Sequence, residues 1–542
     1  MAVLDALKQV RSDGGTFFVL PLRFGGGINA ASEIDQIAAD ECVSGSNFDI
    51  SLDQTGFRPR KAINLLATTT NASRINGFIE HIRPDGSSSL CVQSGDTVYK
   101  WDGGSTFTSV ATVSSASRLR GSRRASSALD DFVIVTDLGM QTVVKTWDGS
   151  TFADHAHNLA TPFFAKYCLI EKERAFFANV MAGLPTPHLI VGSKRSDVTT
   201  LSISDRPSSA LAEDDPFFIP TPDLRPVNGI VSAFKQHLFS TQDGQIFVLT
   251  GESAQDFAID EFYPDSAAAG EEAIVFTGND VMYGRVGRIE SLLATDRFGD
   301  VETSDPGRWI SPSIASVTAW QAVFNPRTNR GFFFPRDGNE VFVFNKSIFD
   351  IARTLESRQV GVSPWSRYTT TFGDADFRVT AAQTMRSPID GRDYVYFGDT
   401  AGRIFIMEGT AGADDGGSAA ITAFRVSGLI DVEPADVYDV KGYIKYEQQT
   451  TERTVTLTFM HNGITAFDQA ITVTIPAATE GAAYWGGAFY FGGEIYFGQQ
   501  FSGRIKRQRF SGAGRSSGVQ VKISAAPPFA ILELGLEFRP AT

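Results

Sequence analysis

Cysteine is nearly absent: Cys42, Cys91 and Cys168 are the only three in 542 residues. Three thiols cannot build a disulfide framework, and the odd count fits a chain that folds in a reducing cytosol. Cys91 lies in a strand pattern and reads as a small core side chain. No run of about 18 apolar residues occurs, which argues against a membrane-spanning helix. The first residues lack the charged-then-apolar pattern of an export signal. Helical periodicity is confined to Met1–Arg11, with Val3, Leu4, Leu7 and Val10, and to a weaker window over Ala30–Cys42. Positive charge is in deficit, 48 Lys and Arg against 62 Asp and Glu, for a formal charge of −14. That argues against a protein that coats DNA through its overall field, and it leaves local patches open.

Catalytic motifs are missing too. There is no phosphate loop, no His-Glu-x-x-His and no Cys-x-x-Cys. The expectation is a protein that is not an enzyme and uses no cofactor and no metal. Carboxylates are plentiful, so a glycosidase pair joined only by folding stays open. Ser51–Phe57 approaches an Asp-box, but one residue too many separates Asp53 from Gly56. His155 and His157 share one side of a strand pattern, but no third ligand is evident in the sequence. A solvated pair at a sheet edge is therefore a plainer reading than a metal site.

What is present is a repeat. Leu90–Val92 and Val98–Trp101 alternate apolar and polar residues around Ser94-Gly95-Asp96, a tight-turn sequence, and Ile75–Ile82 precedes them across Pro84-Asp85-Gly86. The strand–turn–strand–turn–strand unit recurs at Arg118–Trp147, Lys166–Gly192, Val227–Gly251, Glu271–Ala294, Ala319–Lys346 and Val379–Gly409. Seven copies at intervals of about 42 to 63 residues approach the spacing of propeller blades. The third strand of most copies is a near-continuous apolar run, such as Ile246-Phe-Val-Leu or Val341-Phe-Val-Phe, as expected for strands buried on both faces. The sequence therefore predicts an all-β chain: a β-propeller of about seven blades over 71–410, then a C-terminal β-sandwich or barrel. The alternative is a series of antiparallel meanders in one or more sandwiches.

Residues 1–70 are expected to lead into the propeller and can close it. The small, polar stretch 411–418 is expected to be a linker, and 419–542 a C-terminal β domain serving as a tip or partner-docking element. Within that domain the Gly- and aromatic-rich stretch holding Tyr484, Trp485, Phe489, Tyr490 and Phe491 is a candidate gate or partner hairpin, or else a core strand pair. Two basic clusters interrupt the acidic background: Arg118, Arg120, Arg123 and Arg124, then Arg504, Lys506, Arg507 and Arg509. They are candidate contacts to phosphate or to a neighbouring subunit, because guanidinium groups suit both. A charged strand edge that discourages pairing is the alternative.

The glycine-rich lead Phe17–Asn29, followed by Asn47, Asp49, Gly56 and Arg58-Pro59-Arg60, resembles the opening of propeller-containing tail proteins of short-tailed bacteriophages (podoviruses): the nozzle and packaged-DNA stabilisation proteins. Phe276–Leu292 and Ser363-Pro-Trp-Ser-Arg-Tyr368 have the same look, so the pattern spans about residues 17–410. The resemblance implies a structural virion protein, a homohexameric ring forming the distal tail tube. It would dock under a tail adaptor, with fibres or spikes nearby, retain packaged DNA and conduct double-stranded DNA during ejection. Its place would be the virion tail, assembled in the host bacterial cytoplasm. The alternative from another class is a propeller that binds or hydrolyses host polysaccharide.

Overall fold

A computed structural model describes residues 8–540 apart from 13–14, 23–25, 35, 39–40, 52–53, 84, 102, 104–105, 123–131, 204–210, 234–235, 242–244, 264–267, 295–300, 356–362, 370–377, 410–420, 428–429, 432–437, 448–451, 461–468, 476–504, 515–517 and 526–530. The chain forms two compact units, one of residues 63–342 and 370–409, the other of 1–62, 343–369 and 410–542.

The first unit is a β-propeller. Each predicted copy becomes three antiparallel strands, and a fourth strand completes every sheet. Blade 3 shows the plan: Phe163–Glu171, Arg174–Ala182, Leu184–Gly192 and Phe217–Pro220 pair in sequence order. The innermost strands of the seven blades are Ile75–Ile82, Leu119–Gly121, Phe163–Glu171, Val227–Ala233, Ile274–Phe276, Trp320–Asn325 and Val379–Arg386. Blades 1 and 2 touch through a parallel pairing of Phe78 with Arg120. Neighbouring blades meet in order around the ring, and Val379–Arg386 returns to lie against Ile75–Ile82.

The seventh blade takes its outermost strand from the start of the chain. Ala62–Thr68 lies beside Arg403–Gly409, and the Thr69 amide donates to the Gly402 carbonyl at 2.9 Å. A sheet made from both ends of the repeat closes the ring without an added linker.

The core lies between blades, which is why the third strands are apolar on both faces. One cluster joins Ile134 and Val144 of blade 2 to Phe177 and Val191 of blade 3; another joins Phe176 and Ile190 to Phe239 and Leu249 of blade 4. Packing is close at Gly284, where a Cβ would sit 2.4 Å from two atoms of the Trp320 indole. That ring is 1 % exposed and fixed by its Nε1–H donating to the Arg285 carbonyl at 2.7 Å. Gly284→Ala is expected to lower stability by about 1–3 kcal/mol through overpacking. Thermal unfolding followed by tryptophan emission checks this; an unchanged transition would show that the indole yields freely.

The second unit holds two sheets. In one, the order is Lys8–Ser12, Gly15–Leu22, Ile531–Pro540, Tyr438–Glu447 and Ile505–Gly514. In the other it is Ser44–Ser46, Ala423–Val426, Gly518–Ala525, Arg453–Met460 and Gln469–Ile475. Strict alternation turns Val455, Leu457 and Phe459 inward with Val521, Ile523 and Val473. The C-terminal β domain thus recruits strands from the first residues of the chain. The helical window at Met1–Arg11 is corrected over its described residues: Lys8–Ser12 is a strand paired with Gly15–Leu22, and residues 1–7 lie outside the described residues. No helix occurs among the described residues of 30–42, whereas Lys346–Leu355 forms a helix that periodicity did not single out.

Candidate functional site

The innermost strands run around an axial cavity of about 600 Å³. One part of its wall is charged. Arg120, on the short strand Leu119–Gly121, meets Glu272 with two guanidinium nitrogens, Nη2 at 2.6 Å from Oε2 and Nε on Oε1. Its Nη1 donates to the Asn76 and Leu119 carbonyls at 3.0 and 2.7 Å. Gln321 Nε2 donates to the same Glu272 Oε2 at 3.1 Å and to the Ala382 carbonyl at 3.1 Å. One carboxylate therefore ties blades 1, 2, 5, 6 and 7 together at the axis.

The adjacent Glu271 is shared by three cations: Lys166 Nζ at 2.8 Å, Arg118 Nη2 in direct contact, and Arg336 Nη1 at 3.8 Å. Burial, then repulsion from Arg336 and Arg120, brings Arg118 down to about 10. Burial and the nearby Arg118 also lower Lys166. Asp137 opposes that lowering of Lys166, and its oxygens accept the backbone N–H groups of Arg118, Gly139, Gln141 and Thr142 at 2.6–2.8 Å.

Five residues beyond Lys166, at the end of the same strand, Glu171 also lines the cavity. It accepts a hydrogen bond from Ser232 Oγ, and its Oε2 lies 3.5 Å from Nδ1 of His237. His237 is fully buried against the Phe176 ring, 4.6 Å between centroids, with no hydrogen bond to either ring nitrogen. Burial, opposed by Glu171, brings it down to about 4, so its ring is neutral at pH 7. The serine hydroxyl here donates to the carboxylate and not to the imidazole, which is the wrong order for activating a nucleophile.

Two of the stretches in which the sequence resembles the tail proteins, Phe17–Arg60 and Ser363–Tyr368, meet within the second unit, while Phe276–Leu292 belongs to the first. The Asn47 amide donates to the Arg367 carbonyl at 2.7 Å, and its Oδ1 accepts from Thr369 N and Arg60 Nε, both at 2.9 Å. Asn47 adopts φ 58°, a left-handed conformation that asparagine tolerates. Arg60 is 1 % exposed and lies over the Tyr368 ring, while the Tyr368 hydroxyl donates to Asp49. Gly27 N and Ile28 N donate to the Ser363 and Trp365 carbonyls at 2.8 Å. A Cβ on Gly27 would stand 2.1 Å from the Trp365 carbonyl oxygen, so this approach requires glycine.

No family model matches the chain, and no curated protein matches it. Among solved structures the chain is similar to the computationally designed Ika8 protein, with 13 % identity over 64 % of this chain and 99 % of that one, at a TM-score of 0.34. It is also similar to the WD40 domain of Toxoplasma gondii coronin, at 9 % identity, 64 % and 83 % coverage and a TM-score of 0.36. A third likeness is to a catalytically inactive virginiamycin B lyase from Staphylococcus aureus with quinupristin: 10 % identity, 64 % and 98 % coverage, TM-score 0.38.

Of the residues singled out in the sequence, Arg120 lines the cavity and Arg118 pairs with Glu271 at its wall. Lys506, Arg507 and Arg509 lie on Ile505–Gly514, last in its sheet order, opposite Tyr446, Lys445 and Tyr443. Arg123, Arg124, Arg504, Tyr484, Trp485, Phe489, Tyr490 and Phe491 fall outside the described residues. The solvated reading of His155 is corrected: it is 4 % exposed, hydrogen-bonded through Nε2 to Val198 O at 3.1 Å, and brought down to about 4 by burial. Among the described residues no group of three metal-ligating side chains exists. Sequence reasoning did not find Lys166, Glu271, Glu272 or Gln321 as partners of the arginines; their only local signal is a pair of glutamates just ahead of a strand.

Proposed function

We propose that this chain is a structural subunit of a short bacteriophage tail, forming the distal tube that retains packaged DNA and conducts it during ejection. One observation supports the reading above others: two of the three stretches that resemble the family, the lead through Arg60 and Ser363 to Tyr368, are more than 300 residues apart yet are joined by buried and part-buried hydrogen bonds. Residues so placed act as one motif, which gives the resemblance a joint structural basis where separate short matches would have none.

On this reading six copies form a ring under a tail adaptor, with fibres or spikes nearby. Each copy brings a formal charge of −14. A tube with an acidic lumen repels phosphate, and DNA slides through it because affinity for DNA comes from neutralising phosphates. Light scattering on the purified chain, followed by negative stain, tests the proposal. The expected particle is a ring with a central hole and about six times the 58.7 kDa chain mass. A chain that stays monomeric at the highest attainable concentration, and cleaves host polysaccharide, would overturn it.

A further inference from the structure

We propose that the folded chain cleaves its own backbone between Asp215 and Pro216, with the Asp215 carboxylate as nucleophile and the Arg174 guanidinium holding the carbonyl oxygen. This does not rest on the tail-protein reading.

The first observation is the partner of the scissile carbonyl. The Asp-Pro pair occurs twice in the chain, at Asp215-Pro216 and at Asp305-Pro306. The Asp215 carbonyl accepts from Arg174 Nη1 at 2.9 Å, and Arg174 is completely buried at the start of its strand. The same guanidinium donates through Nη1 to the Ser193 carbonyl and through Nη2 to that of Glu213, so both terminal nitrogens are fixed in place. A fixed cation polarises the carbonyl and stabilises an oxyanion formed there more than the carbonyl itself, since charge-assisted bonds are the stronger ones. The Asp305 carbonyl accepts a backbone amide instead, that of Arg308 at 3.3 Å.

The second observation is the placement of the nucleophile. The Asp215 N–H donates to the Ala212 carbonyl at 3.1 Å, and Asp215 Oδ2 accepts the Ala212 N–H at 3.0 Å. The side chain is thus folded back along its own turn. Held beside the backbone, the carboxylate has already met part of the entropy cost of ring closure. Asp215 and Pro216 are half-buried, so water reaches the bond.

Water is the only co-reactant required. An Asp215 carboxylate oxygen attacks the carbonyl carbon of the same residue, and the negative charge moves to the oxygen that faces Arg174. When that oxyanion collapses, the C–N bond to Pro216 breaks and its electron pair leaves on the proline nitrogen, a tertiary amide nitrogen that takes a proton from solvent. A five-membered cyclic anhydride is left on Asp215. Water opens it to two carboxylates and returns protons to solvent. The new α-carboxylate lies against Arg174 as an ion pair, which holds the product in place. Residues 216–542 stay attached to residues 1–215 because Phe217–Pro220 remains paired with Leu184–Gly192.

The test uses the full chain, kept folded at mildly acidic pH beside a sample unfolded in urea, both followed over time by denaturing gel and intact mass. Pieces 1–215 and 216–542 should appear at least about tenfold faster than 1–305 and 306–542, and at least about tenfold faster in the folded chain than in urea. Asp215→Ala should abolish them and Asp305→Ala should not. Arg174→Lys should slow them at least about tenfold, because an ammonium does not replace a planar fork. If Arg174→Lys does not fold, the comparison of folded with urea-unfolded chain carries the test. Absence of cleavage at this bond in the folded chain overturns the proposal. So do equal rates at the two Asp-Pro bonds, a rate in urea that matches or exceeds the folded one, or cleavage that persists in Asp215→Ala.

Discussion

Arg174→Ala is expected to destabilise the propeller by about 3–5 kcal/mol. Arg174 opens the second strand of blade 3 and is completely buried. Its guanidinium donates to the carbonyls of Ser193 at 2.6 Å, Asp215 at 2.9 Å, Asp214 at 3.3 Å and to that of Glu213. It also lies over the rings of Phe217 and Phe257, 5.7 and 5.9 Å from their centroids. Alanine removes these donors together and leaves the carbonyls facing a cavity. Arg174→Lys keeps the charge but cannot span a fork of carbonyls, so it should recover only part of the loss. Urea unfolding reads the effect as a lower midpoint at unchanged slope. A loss under about 1 kcal/mol would mean that water takes over the carbonyls.

The second large effect is acid sensitivity above the carboxylate range. His155 and His237 are both held near 4 by burial, against an ordinary value of 6.5. Below pH 6.5 the unfolded chain binds protons that the folded chain refuses. The stability these two groups contribute is therefore complete above pH 6.5, falls as pH drops towards 4, and is gone below that. For His155 the difference is on the order of 3 kcal/mol; His237 acts in the same direction. Asp197, lowered by the Thr199 and Thr200 hydroxyls, belongs to a separate window: its contribution is present above its ordinary 3.8 and lost below it. Tm measured from pH 7 to pH 4 should fall steadily, and His237→Leu should flatten the slope, since that ring makes no hydrogen bond. A Tm independent of pH across this interval would refute the buried neutral state.

The repeat was readable because its turns and inner strands are local signals. Gly95, Gly183 and Gly287 sit at φ 57°, 81° and 67° in the turns, and the strands they join are apolar enough to stand out. The fourth strand of each blade was not readable. Thr108–Thr112 is mostly exposed and Phe152–Asp154 is only three residues long, so neither has a buried face to impose alternation. The charged wall was half readable. Arg118 and Arg120 are conspicuous in an acidic chain, but Arg120 and its partner Glu272 are 152 positions apart, and only ring closure brings them together. His155 was misjudged because polarity suggested solvent where a single backbone acceptor and the neighbouring Phe177 ring provide a dry site. The first residues misled for a different reason: Val3, Leu7 and Val10 fit a helical face, yet the Gly15–Leu22 strand offers Lys8–Ser12 a pairing partner that local propensity cannot anticipate.

The strand Ala62–Thr68 has a consequence in time. It leaves the ribosome before any blade exists, and the hydrogen-bonding partner of the next residue, Gly402, follows 333 positions later. At about 5–20 residues per second, that interval is roughly 17–67 s. Throughout it the nascent chain carries an unpaired strand, and six blades can stack before the last has its outer edge. Polysomes carrying many such chains would hold many such strands side by side, so exchange of this strand between neighbouring nascent chains is the failure the fold must outrun.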